Sequence, residues 1–268
     1  MSTTEPTDTA LPNHNNQKKI ALINDFTGFG RCSVAVQLPV ISQLGVQCCV
    51  LPTSVLSNHT GFPSYSFQDF TPYMREHIRE WRKLGLKFRG ICTGFLGSAE
   101  QIAVVSEFID EFGGPDCIVM VDPVMGDEGH PYGTYTPEMC ERMAELTAKA
   151  DIITPNITEV ALLLDEPFTP RISPEEIKGW LRRLSAMGPQ TVVATSVPLL
   201  EGGRDPGHNA SVIAYERDED RFWRIDCAYI PAHYPGTGDT FSSVLTGSLI
   251  QGDSLSIALD RAVQFVTL

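Results

Sequence analysis

The sequence lacks a surplus of basic residues. Its 268 residues include 20 Lys and Arg against 33 Asp and Glu, which gives a formal net charge of −13. Nucleic acids and anionic membranes both attract basic surfaces, so neither is an expected partner. No apolar run approaches the length of a membrane span, and the chain does not start with a signal-peptide core. We therefore expect a cytoplasmic protein.

Paired cysteines and paired histidines are also missing. The seven cysteines form no C-x-x-C motif, and the six histidines form no H-x-x-x-H motif. A zinc site and a disulfide framework are therefore not expected. Because the cysteines stand mostly in apolar segments, we expect them to be reduced thiols packed in a core.

Three catalytic or nucleotide-binding motifs are absent or incomplete. There is no G-x-x-x-x-G-K-[ST] P-loop and no G-x-S-x-G elbow, which argues against P-loop enzymes and α/β-hydrolases. GFGRCS (28–33) starts like a dinucleotide fingerprint, but Ser33 replaces the third glycine and no acidic residue follows at the ribose-binding distance. We interpret it as a tight turn where backbone approaches something closely.

What the chain does contain is a regular alternation of strand-like and helix-like segments. Residues 1–17 are polar and lack periodicity, which predicts a disordered tail. Residues 18–268 predict one α/β domain, with a doubly wound, mostly parallel sheet and helices on both faces. SVIAYERD and RFWRIDCAYI flank a charged turn and predict an antiparallel hairpin at one edge of the sheet.

Several helices are predicted from apolar spacing, among them the following three. One follows GFGRCS, with Val34, Leu38 and Ile41 on its apolar face, and a second amphipathic helix covers residues 67–85. The third covers residues 239–251 and is anchored in the core by one apolar face. That face comprises Phe241, Val244, Leu245, Ser248 and Leu249.

Polar side chains recur where the predicted strands end. In open α/β sheets, ligands bind beyond the carboxyl ends of the strands, so these residues predict the position of a site. They are Asn24, Asp25, Thr93, Asp122, Thr154, Asn156, Thr195 and Ser196.

The segment PGTGD (235–239) is the most informative motif. Gly236, Thr237 and Gly238 let consecutive backbone N–H groups converge at a helix start, which is suited to an anion. Asp239 itself cannot bind a phosphate, but it can accept the proton of an alcohol while the amides hold a transferred phosphoryl group. The alternative is that Asp239 is simply the N-cap of the helix. The run of small residues before it favours an alcohol kinase.

Such a reaction needs a divalent cation, because a triphosphate and an acidic protein repel each other. In TPNITE (154–159), Glu159 could hold magnesium through water and Asn156 could reach a phosphate; the alternative is a capping box between the two. DPVMGD (122–127) offers Asp122 and Asp127 as oxygen ligands, or forms an ordinary turn.

Taken together, several segments resemble the pyridoxal kinases of the ribokinase-like superfamily, and they occur in the family order. The segments are SNHTGF (57–62), TGFLGS (93–98), VDPVMGD (121–127), DIITPNITE (151–159), VVATS (192–196) and PGTGD (235–239). DPVMGD and TPNxxE are shared with the hydroxymethylpyrimidine kinases, whereas SNHTG points to vitamin B6.

The resemblance implies ATP-dependent phosphorylation of the 5′-hydroxymethyl group of pyridoxal, pyridoxamine or pyridoxine by a homodimer. ATP would be the donor, with Mg²⁺ and, as a further candidate, a monovalent cation. Asp239 would be the catalytic base, and Gly236, Thr237 and Gly238 the anion hole. The remaining assignments are Asn24, His59, Thr60 and Phe95 for the substrate, Asn156, Thr195 and Ser196 for ATP, Asp122 and Glu159 for the metal, and residues 127–135 for a mobile loop over the site.

Two departures from the family pattern leave alternatives open. Asn24 and Asp25 replace a serine-containing pair, so the preferred vitamer is not determined. The chain also stops at Leu268, inside an apolar helical run where relatives continue, which suggests a fragment or a shortened form. A hydroxymethylpyrimidine kinase of thiamin synthesis is the nearest alternative function, and a non-catalytic B6-binding protein is the alternative from another class.

Overall fold

The computed structural model describes residues 17–200, 209–228 and 234–267, so the predicted tail lies outside the described residues except for Gln17. A nine-stranded sheet forms its centre. The strands of this sheet are β1 Lys19–Thr27, β2 Gln47–Leu56, β3 Phe67–Asp69, β4 Gly90–Thr93, β5 Ile118–Val121, β8 Ile152–Ile153, β9 Thr191–Val197, β10 Asn209–Glu216 and β11 Arg221–Ala228. Two short strands, β6 Gly126–Asp127 and β7 His130–Pro131, form a separate antiparallel pair.

The strand order is β11-β10-β9-β8-β5-β4-β1-β2-β3. All pairs from β2 to β9 in this order are parallel, whereas β10 and β11 form an antiparallel hairpin at one edge and β3 is antiparallel at the other. The predicted mostly parallel sheet with an antiparallel edge hairpin is therefore confirmed.

Helices cover both faces of the sheet, as predicted. They are α1 Val34–Gln43, α2 Thr71–Lys83, α3 Ala99–Phe112, α4 Pro137–Thr147, α5 Ile157–Leu164, α6 Pro174–Ala186, α7 Thr237–Gln251 and α8 Leu255–Thr267. Strand β1 shows the two-sided burial directly: Ala21 and Ile23 belong to one apolar core cluster and Ile20 and Leu22 to the other. Alternate residues of a strand point to opposite faces, so both faces of the sheet are packed.

The prediction of one helix over residues 67–85 was wrong at its start. Phe67–Asp69 pairs with β2 as an edge strand, and α2 begins only at Thr71. Asp69 Oδ1 accepts a hydrogen bond from the Thr71 amide at 2.9 Å. Pro72 follows at once, and proline is tolerated in the first turn of a helix but not in its interior. A helix starting at Phe67 would have placed this proline too deep.

Two details of the predicted apolar faces also differ. Leu38 is 39% exposed, although the spacing of α1 placed it in the core. Helix α7 is buried on almost all sides from Phe241 to Ser248 instead of on one face, while Leu249 is only half-buried. It packs against both α1 and α8. The hydroxyls of Ser243 and Thr246 donate to carbonyls one turn earlier, which allows polar residues in this position.

The cysteines are free thiols, with Cys32, Cys92 and Cys117 buried and the other four half-buried. Within the described residues, no helix combines the length and apolar character needed to cross a membrane.

Candidate active site

The structure brings together most of the polar residues that end the parallel strands. Asn24 is near the end of β1, Asp122 directly follows β5, and Asn156 follows β8. Asp239 lies in the first turn of α7 and contacts Asn24 across 215 positions of sequence. Beside it, Asp122 Oδ2 would lie only 4.0 Å from a Cβ atom placed on Gly238. The site therefore forms at the carboxyl edge of the sheet, as expected for this fold class.

The start of α7 is pressed against the segment between β1 and α1. Gly236 has φ +83°, a left-handed conformation that favours glycine, and a Cβ atom here would overlap with the carbonyl oxygen of Arg31. Just beyond, the Ser33 amide donates to Asp239 Oδ2 at 2.7 Å. The GFGRCS segment is thus a site of close backbone approach, as interpreted from the sequence.

Asp239 is not the N-cap of α7. That position is Gly236, and no side chain caps the helix. The half-buried carboxylate of Asp239 accepts hydrogen bonds from the Ser33 amide and from Asn24 Nδ2, the latter at 3.0 Å. The amides of Thr237, Gly238 and Asp239 find no acceptor among the described residues. A carboxylate and unpaired amides therefore share one helical turn, the arrangement that a base next to an anion hole requires.

Burial raises the pKa of Asp239 to about 6, and the nearby charge of Asp25 adds to this effect. The hydrogen bonds from Ser33 and Asn24 act in the opposite direction. A carboxylate with this pKa is ionised at neutral pH and is a stronger base than an ordinary aspartate.

Asp122 and Glu159 form the acidic part of the site next to Asp239. Burial, followed by the charge of Asp239, raises the pKa of Asp122 to about 8. Burial and the charge of Asp122 likewise raise the pKa of Glu159 well above its ordinary value. Among the described residues, no basic side chain lowers either pKa. Such a group fits a divalent cation, which would relieve the repulsion.

Among the described residues, however, no cluster of three or more His, Cys, Asp or Glu side chains is placed to hold a metal ion alone. Magnesium commonly keeps several waters and takes one or two carboxylates plus substrate phosphates. Asp122 and Glu159 fit that role together with a nucleotide.

The capping-box alternative for TPNITE is present in the structure. Asn156 Oδ1 accepts from the Glu159 amide at 3.0 Å, and Glu159 Oε2 accepts from the Asn156 amide at 2.8 Å. Glu159 Oε1 also accepts from the Met125 amide, while Asn156 Nδ2 donates to the Gly126 carbonyl. The pair therefore joins the TPNITE and DPVMGD motifs. Their assignments to phosphate and metal stay predictions.

We expect the acidic group to make stability depend on pH and magnesium. A carboxyl whose pKa is raised by folding stabilises the fold below about pH 4, and this contribution is lost as pH rises through its folded pKa. The thermal midpoint should therefore decrease as the pH is raised from about 6 to about 9. MgCl2 should raise the midpoint most at the higher pH, because protons compete with the metal for the carboxylates. Thermal unfolding of the parent and of Asp122→Asn, at matched ionic strength, measures this. An equal response to MgCl2 in both proteins would contradict it.

The residues expected to bind the substrate lie on two loops beside Asn24. The Phe95 amide donates to Asn24 Oδ1 at 2.8 Å, and the Phe95 ring is half-buried. The His59 ring lies 4.5 Å from that of Phe62 and accepts at Nδ1 from the Gly61 amide. Thr60 is exposed. Because the His59 amide also donates to the Phe29 carbonyl, the SNHTGF loop is fixed to the segment that contacts α7.

The residues expected to bind ATP lie at the neighbouring strand end. Thr195 bridges to Asn156, and its amide donates to the Pro155 carbonyl at 3.0 Å. Ser196 is exposed, with φ +52° at an irregularity in the β9–β10 pairing. A non-glycine residue in this region is strained, and such residues concentrate at functional sites.

Residues 127–135, expected to be a mobile loop, begin within the β6–β7 hairpin. Its turn, at Glu128 and Gly129, has positive φ at both positions. The Gly129 amide donates to Thr158 Oγ1 at 2.9 Å, which attaches the turn to α5. The structure thus places this segment beside Glu159.

Two residues of the site were not found from the sequence. Ser33 supplies a backbone amide to Asp239, and backbone donors carry no sequence signal. Gln37 is completely buried in α1 and accepts a hydrogen bond from Asn24. The sequence feature that could have identified Gln37 is its position as the one amide side chain within the apolar run VAVQLPVI.

Comparison with known proteins identifies the family. A model of the phosphomethylpyrimidine kinase family matches residues 35–268. The pyridoxine/pyridoxal/pyridoxamine kinase of Bordetella avium is 30% identical over 245 residues, covering 89% of this chain and 79% of that protein. The chain belongs to the pyridoxal kinase family. The resemblance inferred from SNHTGF, DPVMGD, TPNITE and PGTGD is thereby confirmed.

Solved structures of this family share the fold. A crystal structure described as a putative phosphomethylpyrimidine kinase, from Bacteroides thetaiotaomicron, is 52% identical, with a TM-score of 0.90 over 94% of this chain and 85% of that chain. A second crystal form of it, with pyridoxal, gives a TM-score of 0.88. The pyridoxal kinase of Lactobacillus plantarum, at 26% identity, gives a TM-score of 0.82. The ribokinase-like fold is therefore confirmed for this member of the pyridoxal kinase family.

Proposed function

We propose that the chain transfers the γ-phosphoryl group of ATP to the 5′-hydroxymethyl group of pyridoxal, pyridoxamine or pyridoxine. The observation that carries this proposal is the first turn of α7, where the Asp239 carboxylate lies beside amides without an acceptor among the described residues. The Bordetella relative is named for all three vitamers, and the Bacteroides relative was solved with pyridoxal.

In this mechanism Asp239 accepts the proton of the hydroxymethyl group. The alcohol oxygen forms a bond to the γ-phosphorus as the bond from that phosphorus to the β–γ bridging oxygen breaks, and ADP leaves. The amides of Gly236, Thr237 and Gly238 stabilise the charge on the transferred group. Asp122 and Glu159 would hold Mg²⁺, which neutralises charge on the triphosphate when bound.

The residues proposed to bind ATP, and the proposed oligomeric state, come from the family resemblance. Asn156, Thr195 and Ser196 would contact the phosphates of ATP, and the bridge between Asn156 and Thr195 supports this grouping. His59, Thr60 and Phe95 would surround the pyridine ring. Residues 18–268 would act as one catalytic domain in a cytoplasmic homodimer, with a monovalent cation in addition to Mg²⁺.

A hydroxymethylpyrimidine kinase is the second candidate. The matching family model and the Bacteroides relative are both described as phosphomethylpyrimidine kinases, which favours a pyrimidine alcohol. The pyridoxal in the second crystal form of that relative favours the pyridine. Both functions use the same chemistry and differ in the ring.

A side-by-side assay separates the candidates. We expect release of ADP from Mg-ATP with each B6 vitamer, at a higher kcat/KM than with hydroxymethylpyrimidine. A higher value for the pyrimidine would replace the first candidate by the second. Binding of a vitamer by calorimetry without turnover of any alcohol would instead indicate a non-catalytic binding protein.

The pH profile should report the ionisation of Asp239. Because burial raises its pKa to about 6, we expect kcat/KM to fall tenfold per pH unit below that value as the base becomes protonated. The profiles for pyridoxal and pyridoxine control for each other. If the decrease of kcat/KM at acidic pH comes from a group of the enzyme, it occurs at the same pH with both substrates. An acidic limb that moves with the vitamer would assign the ionisation to the substrate.

A further inference from the structure

The side chain of Asn24 is completely committed to contacts inside the protein. Its Oδ1 accepts from the amides of Asp25 at 2.9 Å and Phe95 at 2.8 Å. Its Nδ2 donates to Gln37 Oε1 at 2.9 Å and to Asp239 Oδ1 at 3.0 Å. These contacts use both acceptor positions and both donor positions of an asparagine amide. With 1% of its surface exposed, Asn24 has no hydrogen-bonding capacity left for a substrate ring.

The orientation of this amide is determined by its neighbours. Two backbone N–H groups point at Oδ1, so a flipped amide would place its NH2 group against two donors. Nδ2 must therefore face Asp239. Gly94 leaves the space for this arrangement, because a Cβ atom there would overlap with the Asn24 amide.

Gln37 determines where the second hydrogen of Nδ2 goes. Its Oε1 accepts from Asn24, while its own Nε2 is buried without a partner among the described residues. A buried amide with an unused donor destabilises the fold, and an apolar side chain would fit the run VAVQLPVI without that cost. The contact that the glutamine makes in place of an apolar side chain is the acceptor that it offers to Asn24.

We propose that Gln37 and Asn24 are positioning residues that hold the catalytic carboxylate of Asp239 in place. Gln37 fixes the rotation of the Asn24 amide, and Asn24 fixes Asp239 Oδ1, while the Ser33 amide fixes Oδ2. Two clamped oxygens leave the carboxylate one orientation towards the alcohol. The inference rests on the proposed function, and it moves recognition of the ring from Asn24 to other residues.

The kinetic test uses Gln37→Met, which keeps the length of the side chain but removes the acceptor. We expect kcat to fall about tenfold with KM for the vitamer within about twofold, because the base is misplaced while the ring site is intact. In the Asp239→Asn background the same change should lower kcat by less than about twofold. An increase in KM at unchanged kcat, or an equal loss of kcat in both backgrounds, would overturn the proposal.

A second test does not depend on turnover. Urea unfolding of the parent, Gln37→Met, Asp239→Ala and the double variant measures whether the two positions are coupled. We expect Gln37→Met to lower the midpoint less when Asp239 is already replaced; equal losses would overturn the proposal. Gln101→Met is the matched control, since Gln101 is also completely buried. Its Nε2 group donates hydrogen bonds to Thr53, Asp69 and Thr71 and does not contact Asp239. Gln101→Met should lower the urea midpoint by the same amount in the parent and in Asp239→Ala.

The two tests separate failure of the inference from failure of the proposed function. A parent protein that phosphorylates none of the alcohols contradicts the proposed function, while the unfolding cycle still decides whether Gln37 acts on Asp239.

Discussion

Replacing Asp239 by Asn is expected to lower kcat by ~100-fold or more, because a general base usually contributes between about 100-fold and about 10,000-fold. KM for the vitamer should change little, because the amide keeps the size of the side chain and one oxygen that still accepts from either Asn24 or Ser33. Steady-state rates of ADP release with pyridoxal, together with calorimetric binding of pyridoxal, measure both quantities.

Between about pH 4 and about pH 7, the stability of the same variant should depend less on pH than that of the parent. Folding raises the pKa of Asp239, so the ionised carboxylate destabilises the fold at neutral pH and a neutral amide removes that effect. A thermal midpoint well above the assay temperature would show that the loss of kcat is not caused by unfolding. Phosphorylation at the parental rate would show that Asp239 is not the base.

Replacing Gly236 by Ala is expected to have the second large effect. Alanine at φ +83° costs about 1–2 kcal/mol from backbone strain. The new Cβ would also overlap with the Arg31 carbonyl and lie 2.9 Å from Cys32 Cα, so the start of α7 must move. A shift of this turn displaces Asp239 and the amides next to it together. We therefore expect a lower urea midpoint and a kcat reduced by ~100-fold, since displacements of about 1 Å have effects of this size.

Gly252 provides the matched control at the other end of the same helix. It also has a left-handed conformation, with φ +101°, but no atom lies within 4 Å of the Cβ position. Gly252→Ala should therefore lose stability through strain alone and keep the parental kcat. Equal losses of kcat in the two variants would mean that the close approach of Arg31 to Gly236 has no special role.

The features of the fold that follow from local pattern were predictable. The antiparallel hairpin of β10 and β11 occurs where SVIAYERD and RFWRIDCAYI predicted it, because the alternation within each strand and the charged turn between them lie within a few residues. Strand β3 was missed, since an exposed three-residue edge strand depends on its pairing with β2 and has no pattern of its own. The burial of α7 on almost all sides was missed for a related reason: it depends on α1 and α8, which lie elsewhere in the chain.

The same distinction applies to the site. The capping box of Asn156 and Glu159 could be predicted because its partners are three residues apart. PGTGD predicted open amides next to a carboxylate, and the structure places both in one helical turn. The contacts of Asp239 with Asn24 and Ser33 could not be predicted, because each joins positions more than 200 residues apart. The same is true of Gln37, whose role depends on the orientation of Asn24.

The most direct measurement is a crystal structure of the chain with pyridoxal, Mg²⁺ and a non-hydrolysable ATP analogue. We predict that the 5′-hydroxyl oxygen lies about 2.6–3.2 Å from a carboxylate oxygen of Asp239. The terminal phosphate oxygens should face the amides of Gly236, Thr237 and Gly238. A hydroxyl group hydrogen-bonded to a different side chain, with the phosphate remote from the start of α7, would contradict the proposed site.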